Sequence, residues 1–319
     1  MAPARPDLLA VRGVSVGQVS DRERPTGVTV VVFDDGAPTV VDVRGGASGT
    51  YDTASLNLEA TFGRRWAIFF SGGSLYGLDA GGGVRTALVA AGRGTRGFGS
   101  DLLLAPVSGA VVFDLGPELV TLPDYAELGR HAVEGARRDR LEQGRVGAGT
   151  GATVAKYLGR AGGRAGGVGS AARGVAGGGT VGVLSVVNAA GAVRDPSTGR
   201  WVAVARGPDG REVAPDDVPP IPLAGRGTTV TIVATDLALT RAELARVAAI
   251  THAGVGRAVV PYLTSVDGDL VFASATGEEA ARPVSERPGG AADLVGRLAA
   301  EAAVEAVLRA VAEPGTASD

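Results

Sequence analysis

Two places in the chain hold residues whose types and spacing suit chemistry. The first is Gly227-Thr228. A proline-rich stretch, Pro215 to Pro222, runs into Ala224-Gly225-Arg226-Gly227, and Thr228 then opens the β-branched run Thr228-Thr229-Val230-Thr231-Ile232-Val233-Ala234-Thr235. If the Gly227–Thr228 bond breaks, Thr228 starts a new chain. A free α-amine has an ordinary pKa of about 7.7–8.0 and can act near neutral pH as the base for its own hydroxyl. Glycine before the bond removes bulk where that hydroxyl must attack. By layout alone the plainer reading prevails, that Thr228 is a strand-favouring residue at a strand edge, because Gly-Thr pairs are common.

The second place is Lys156, the only lysine among 31 basic residues. Arginine keeps its proton at any working pH, whereas a desolvated lysine can release it and join in proton transfer. Lys156 follows Gly149-Thr150-Gly151-Ala152-Thr153-Val154-Ala155, where glycines let backbone approach another group closely. A lone lysine on a solvated surface is the competing reading. Asp267-Gly268-Asp269 adds two carboxylates two residues apart, on one face of a strand or turn. On its own this triplet is also an ordinary solvated hairpin turn.

Other chemistries find little support. Gly147-Ala148-Gly149-Thr150-Gly151 is not the dinucleotide fingerprint, and the flanks of Lys156 do not make a phosphate loop. His131 lies among Glu127, Arg130 and Glu134, as on a solvated helix face, and His252 ends a helix. Neither accompanies a nucleophile elbow. Absence of cysteine rules out disulfides, thiolate metal sites and a cysteine nucleophile, and two histidines cannot build a multi-histidine metal centre. The net charge of −3 comes from interspersed acids and bases, with no basic stripe for nucleic acid. Met1 to Val11 lacks the layout of a secretory signal, and no apolar run reaches the roughly 18 residues of a membrane span. A soluble, cytoplasmic protein is expected.

The elements that must position these residues are visible in outline. Hydrophobic residues make up 45% of the 319, yet aromatics are 4% and glycines number 51, so small side chains must pack with backbones close together. Strands are expected at Gly27–Phe33 and Thr39–Arg44, as a hairpin around Asp34-Asp35-Gly36, and at Trp66–Phe70, Val111–Asp114, Thr180–Asn188 and Thr228–Thr235. A second hairpin is expected across Asp267-Gly268, between Pro261–Ser265 and Asp269–Phe272. Helices are expected at Asp79–Ala91, Pro123–Arg138 and from the capping box Thr240-Arg241-Ala242-Glu243 toward His252. A closing helix, Ala291–Val311, would show Leu294, Leu298, Val304, Leu308 and Val311 on one side. Strand pairs with helices before and after them suggest a layered α/β fold with antiparallel sheets.

Seven blocks in order carry a resemblance to a known family. They are Thr26–Val30, Arg44–Thr50, Ser71–Ala80, Gly147–Lys156, Val186–Ala189, Thr228–Asp236 and Asp267–Asp269. The chain resembles the self-processing amidases that include L-aminopeptidase/D-amidase-esterases, β-aminopeptidases and the nylon-oligomer (6-aminohexanoate-oligomer) endohydrolases, the last most closely. The resemblance implies a four-layer α/β/β/α sandwich of the N-terminal-nucleophile type with mostly antiparallel sheets. It implies a single domain over residues 1–319, cut into 1–227 and 228–319. Thr228 would be nucleophile and new amino terminus, with Gly227 before the cut. Asn188 would donate to the oxyanion, and Lys156 would lie beside the Thr hydroxyl and amine. Asp267 and Asp269 would orient both cations. Ser74, Tyr76 and Phe113 would line the substrate pocket. No metal or organic cofactor is implied. The substrate would be a small amide or oligoamide, and the assembly a homo-oligomer, a tetramer of cut heterodimers. Alternatives within the resemblance are an aminopeptidase or β-aminopeptidase, and acyl transfer of the ornithine-acetyltransferase kind. A processed but inactive scaffold or binding protein is the alternative outside enzymes. The chain departs from the family at Ala155, usually glycine, and at Phe113, where the nylon-oligomer hydrolases have tyrosine. Its glycines are also more degenerate over Arg160–Arg173.

Overall fold

The computed structural model describes residues 5–97, 99–116, 121–218, 226–277 and 290–312. Twelve elements frame the site. They are β1 (Val14–Ser20), β2 (Gly27–Val43), β3 (Arg64–Ser71), α1 (Ala80–Ala90), β4 (Val107–Val111) and α2 (Tyr125–Glu134), then β5 (Gly167–Gly174), β6 (Thr180–Asn188), β7 (Thr228–Thr235), α3 (Arg241–Ala258), β8 (Leu270–Ala275) and α4 (Gly290–Ala310). One mixed sheet of nine strands runs β5-β6-β7-β8-β2-β3-β4, with Thr50–Tyr51 beyond β4 and β1 beside β2. The β7–β8 and β3–β4 pairs are parallel. The β5–β6, β6–β7, β8–β2, β2–β3 and β1–β2 pairs are antiparallel.

Both expected hairpins are corrected. Gly27–Val43 is one continuous strand, because its two β-branched halves find different partners. The first half pairs with β1 and β3, and Thr39–Val43 pairs with β8. Gly36 takes φ 68°, and the register with β3 shifts between Val32 and Ala37, so the turn-like residues become a bulge in a bent strand. Pro261–Ser265 forms no strand. Val259–Val260 pairs instead with Ala192–Val193, and β8 takes the parallel partner β7.

Alternation along the strands sorts the core into three clusters. Val28, Val30, Val32, Ala67 and Phe69 pack with Val84 and Leu88 of α1 and Leu128 and Ala132 of α2. The opposite faces, Val31, Phe33, Ile68 and Phe70, join Leu184, Val186, Val230, Ile232, Leu270 and Phe272. Val183, Val187, Val233, Val271 and Ala273 then pack against α3 and α4. Each strand therefore buries both faces, as period-2 side-chain direction requires.

The capping box at Thr240 and Glu243 is formed and opens α3. In α4 the buried face is mainly alanine: Ala291, Ala292, Ala299, Ala302, Ala303, Ala306 and Ala310 with Val295 and Val307. The expected leucine face is only half-buried at its margin. The reason is distance. A Cβ on Gly169 of β5 would lie 1.8 Å from the Ala306 carbonyl oxygen, and one on Gly254 of α3 would lie 2.2 Å from that of Ala300. The glycine-rich stretch before β6 is likewise part of the packed fold, with β5 in full register along β6.

Candidate active site

β7 starts at Thr228, and the antiparallel register places Asn188, the last residue of β6, directly opposite. This pairing brings the proposed nucleophile and oxyanion donor together from 40 residues apart in sequence. Thr228 is buried, and its Oγ1 donates to the Gly227 carbonyl oxygen at 2.5 Å. A Cβ on Gly227 would stand 2.1 Å from Ala190 N and 2.4 Å from Asp267 Oδ1, so the position admits only glycine without displacement.

Lys156 is 2% exposed, not on the surface. Its Nζ donates to the Asn188 carbonyl oxygen at 2.8 Å and to Asn188 Oδ1 at 3.0 Å. Burial, and then the Arg160 guanidinium, push the ammonium pKa down to about 7, against the upward pull of Asp267, Asp114 and Asp269. The preceding Ala155 takes φ 56°, the left-handed region that glycine occupies without cost. Asn188 Oδ1 also accepts from Thr153 N at 2.9 Å, and Asn188 Nδ2 donates to the Phe113 carbonyl at 3.0 Å. Its amide is thereby fixed in orientation.

The two acids are buried on the other side of Thr228, in the turn leading into β8. Asp267 Oδ1 accepts from Ala190 N at 3.2 Å, and Oδ2 accepts from the Thr264 hydroxyl. Asp269 Oδ1 accepts from Thr229 N at 2.6 Å, and Oδ2 accepts from Leu263 N at 2.9 Å. Burial, then the charge of Asp267, raises the Asp269 pKa to about 7. The Arg44–Ala47 loop closes over the turn, with Gly45 N donating to the Asp269 carbonyl and Ala47 N to that of Asp267.

Expected pocket residues divide. Phe113 joins the cluster through its carbonyl, and Ser74 N donates to the neighbouring Val112 carbonyl at 3.1 Å. Tyr76 lies in the 3-10 turn Ser74–Asp79, 57% exposed, and the cluster's hydrogen bonds do not reach it. Sequence reasoning did not single out Thr153, Thr264 or Gly268, each of which contributes a backbone or hydroxyl group to the cluster. It also passed over Asp114. That side chain is buried, accepts from Gly73 N at 2.7 Å, and has its pKa raised chiefly by burial. The Thr153–Asn188, Gly268–Gly227 and Gly73–Asp114 contacts join residues far apart in the chain, so local sequence carries no sign of them.

Both histidines lie elsewhere. His131 is half exposed on α2, 3.2 Å from Glu127. His252 donates through Nε2 to the Asp42 carbonyl, accepts from the Tyr262 hydroxyl on Nδ1, and has its pKa lowered by burial. Among the described residues no group of three His, Cys, Asp or Glu could hold a metal, and no helix is long and apolar enough to cross a membrane.

Comparison with known proteins gives the family and the fold. Two solved structures share the fold. A Burkholderia sp. β-aminopeptidase matches 97% of this chain and 87% of its own at TM-score 0.69 and 23% identity. The L-aminopeptidase D-Ala-esterase/amidase of Ochrobactrum anthropi, described as a variant of the Ntn hydrolase fold, matches 97% and 86% at TM-score 0.69 and 20% identity. In sequence, a Mycobacterium tuberculosis protein called an uncharacterised aminopeptidase is 38% identical over 303 residues, 89% of this chain and 85% of the relative. A 6-aminohexanoate-oligomer endohydrolase of Kocuria sp. is 35% identical over 318 residues, 93% and 84% of the two chains. Residues 7–318 match the profile of Peptidase family S58. The chain therefore belongs to Peptidase family S58 and is a hydrolase of amide bonds with an α/β fold of the Ntn type.

Proposed function

We propose that the chain is made whole, cuts itself between Gly227 and Thr228, and then hydrolyses amides through the Thr228 hydroxyl. One observation carries this reading. The Thr228 hydroxyl rests on the carbonyl of the bond it would cut, between a buried Lys156–Asn188 pair and two buried carboxylates. In turnover, Oγ1 attacks the substrate carbonyl. Asn188 Nδ2 has a second N–H beyond the one on Phe113 and donates it to the developing oxyanion. The new α-amine and Lys156, whose pKa burial pushes down to about 7, carry the proton from the hydroxyl to the leaving nitrogen. Water then releases the acid from the acyl-enzyme. The unit is a single domain, and its three core clusters support α/β/β/α layering.

For substrate we propose a linear oligoamide such as a 6-aminohexanoate oligomer. Threonine at 228 with Asp267 and Asp269 supports that branch, as does the Kocuria relative. The mycobacterial relative favours a second reading, aminopeptidase action on short peptides. Intact mass tests the core of the proposal. The purified protein should yield fragments of residues 1–227 and 228–319, and Thr228→Ala should remain whole and inactive on both substrate classes. Hydrolysis at the wild-type rate by Thr228→Ala would remove Thr228 as nucleophile.

A further inference from the structure

The oxygen of the Gly227 carbonyl has a second neighbour besides the Thr228 hydroxyl. Gly268 N donates to it at 3.0 Å. Resting on the self-cleavage reading above, we propose that the Gly268 backbone amide is the oxyanion donor for chain cutting, and that the Asp267-Gly268-Asp269 turn is built to hold it there. In the uncut chain the hydrogen bond of Asn188 Nδ2 goes to the Phe113 carbonyl and its Oδ1 faces Lys156 and Thr153, while Gly268 N donates to the Gly227 carbonyl.

The donor peptide is pinned from several sides. Ala47 N donates to the Asp267 carbonyl at 2.9 Å, and Asp267 N donates to the Thr264 carbonyl at 3.3 Å. The Asp267 carboxylate is tied to Ala190 N and the Thr264 hydroxyl, and that of Asp269 to Thr229 N and Leu263 N. Such fixed donors stabilise charge without reorganising as it develops. Glycine is required for the approach, since a Cβ at 268 would stand 2.8 Å from Thr228 Oγ1 and 3.0 Å from the Ala47 carbonyl oxygen.

The step balances without an outside reagent other than water. The Thr228 hydroxyl gives its proton to the base, Lys156 in the reading above, and Oγ1 bonds to the Gly227 carbonyl carbon. The carbonyl π pair moves onto the oxygen, where Gly268 N–H holds it. Collapse breaks the C–N bond, and the nitrogen takes the proton to become the Thr228 amine. Water adds to the resulting ester, freeing the Gly227 carboxylate and the hydroxyl.

The test replaces Gly268 by glycolic acid in the full chain through cell-free synthesis, exchanging only the N–H for an oxygen. Cutting is followed by intact mass, and folding by circular dichroism, beside wild type. The expected result is a folded chain that cuts about 10²–10³-fold more slowly, the usual effect of losing one oxyanion donor. Cutting within about threefold of wild type would overturn the assignment while leaving self-cleavage intact. A wild-type chain that stays whole would remove the self-cleavage reading and this inference with it. A second measurement needs no ester. In uncut Thr228→Ala, the Gly268 amide should exchange its proton slowly; exchange as fast as in an unstructured peptide would also overturn the proposal.

Discussion

Lys156 should make the protein's stability rise with pH above neutrality, and the size of the effect follows from its burial. Its folded pKa is about 7 against 10.5 for the free side chain. Between these values the unfolded chain holds a proton that the folded chain lacks, so unfolding takes up a proton and stability increases with pH. The burden on the folded state is complete below pH 7 and gone above 10.5. At about 1.36 kcal/mol per pKa unit it totals about 5 kcal/mol. From pH 8 to 10 its relief amounts to about 2.5 kcal/mol, after allowing for partial titration of the unfolded lysine. Asp269 acts in a separate window. Its pKa is raised from 3.8 to about 7, so it lowers stability as pH climbs between those values and is constant above them. The assay is urea unfolding of Thr228→Ala, uncut and so a single chain, with and without Lys156→Met, at pH 8 and pH 10. The other titrating groups are common to both proteins and cancel in the difference. The Lys156 protein should gain about 2.5 kcal/mol more than the Met variant over this interval. Equal gains, within about 0.5 kcal/mol, would show that the folded lysine keeps its proton and would refute the proton-transfer role built on its burial.

Lys156→Arg preserves charge but should lower kcat on amide substrates by about 100-fold or more, because the larger guanidinium does not release a proton; near-normal turnover would return Lys156 to an ordinary structural cation. Gly227→Ala should leave the chain uncut on intact mass and cost about 1–3 kcal/mol in unfolding, since the added methyl meets Ala190 N and Asp267 Oδ1. A rapidly cut Gly227→Ala protein would show that the strand end yields. Ala155→Gly should raise stability by about 0.5–1 kcal/mol in chemical denaturation, the relief of a left-handed alanine less the entropy of glycine; a lower midpoint would mean that the alanine methyl packs usefully against the core.

Strands rich in β-branched residues were legible with their bounds: Thr180–Asn188 and Thr228–Thr235 stand as expected. The start of α3 was legible too, because its capping box is local chemistry, but the helix runs past His252, its expected end, to Ala258. The two hairpins were not, since Asp34-Asp35-Gly36 and Asp267-Gly268 have turn-favouring residues whichever partner the flanking strands choose. In α4 the bulky residues marked a face, but the close approach of Gly169 and Gly254 from β5 and α3 selected the alanine face for burial. At the site, residue types marked Thr228 and Lys156 as candidates, while the Gly268 amide and the Thr264 hydroxyl join the cluster through the fold of the turn before β8.

What the sequence determined by itself was the inventory: one lysine, no cysteine, a hydroxyl residue after glycine at a strand start, and two acids around a glycine. These follow from composition and short-range spacing. What only the tertiary structure decided was their company. The β6–β7 register sets Asn188 against Thr228, and Lys156 reaches Asn188 from a separate loop. The turn before β8 brings the Gly268 amide to the Gly227 carbonyl. Burial then moves Lys156 and Asp269 to pKa values near 7. Desolvation and register are properties of packed neighbours, so they come into being only when the sheet closes over the site.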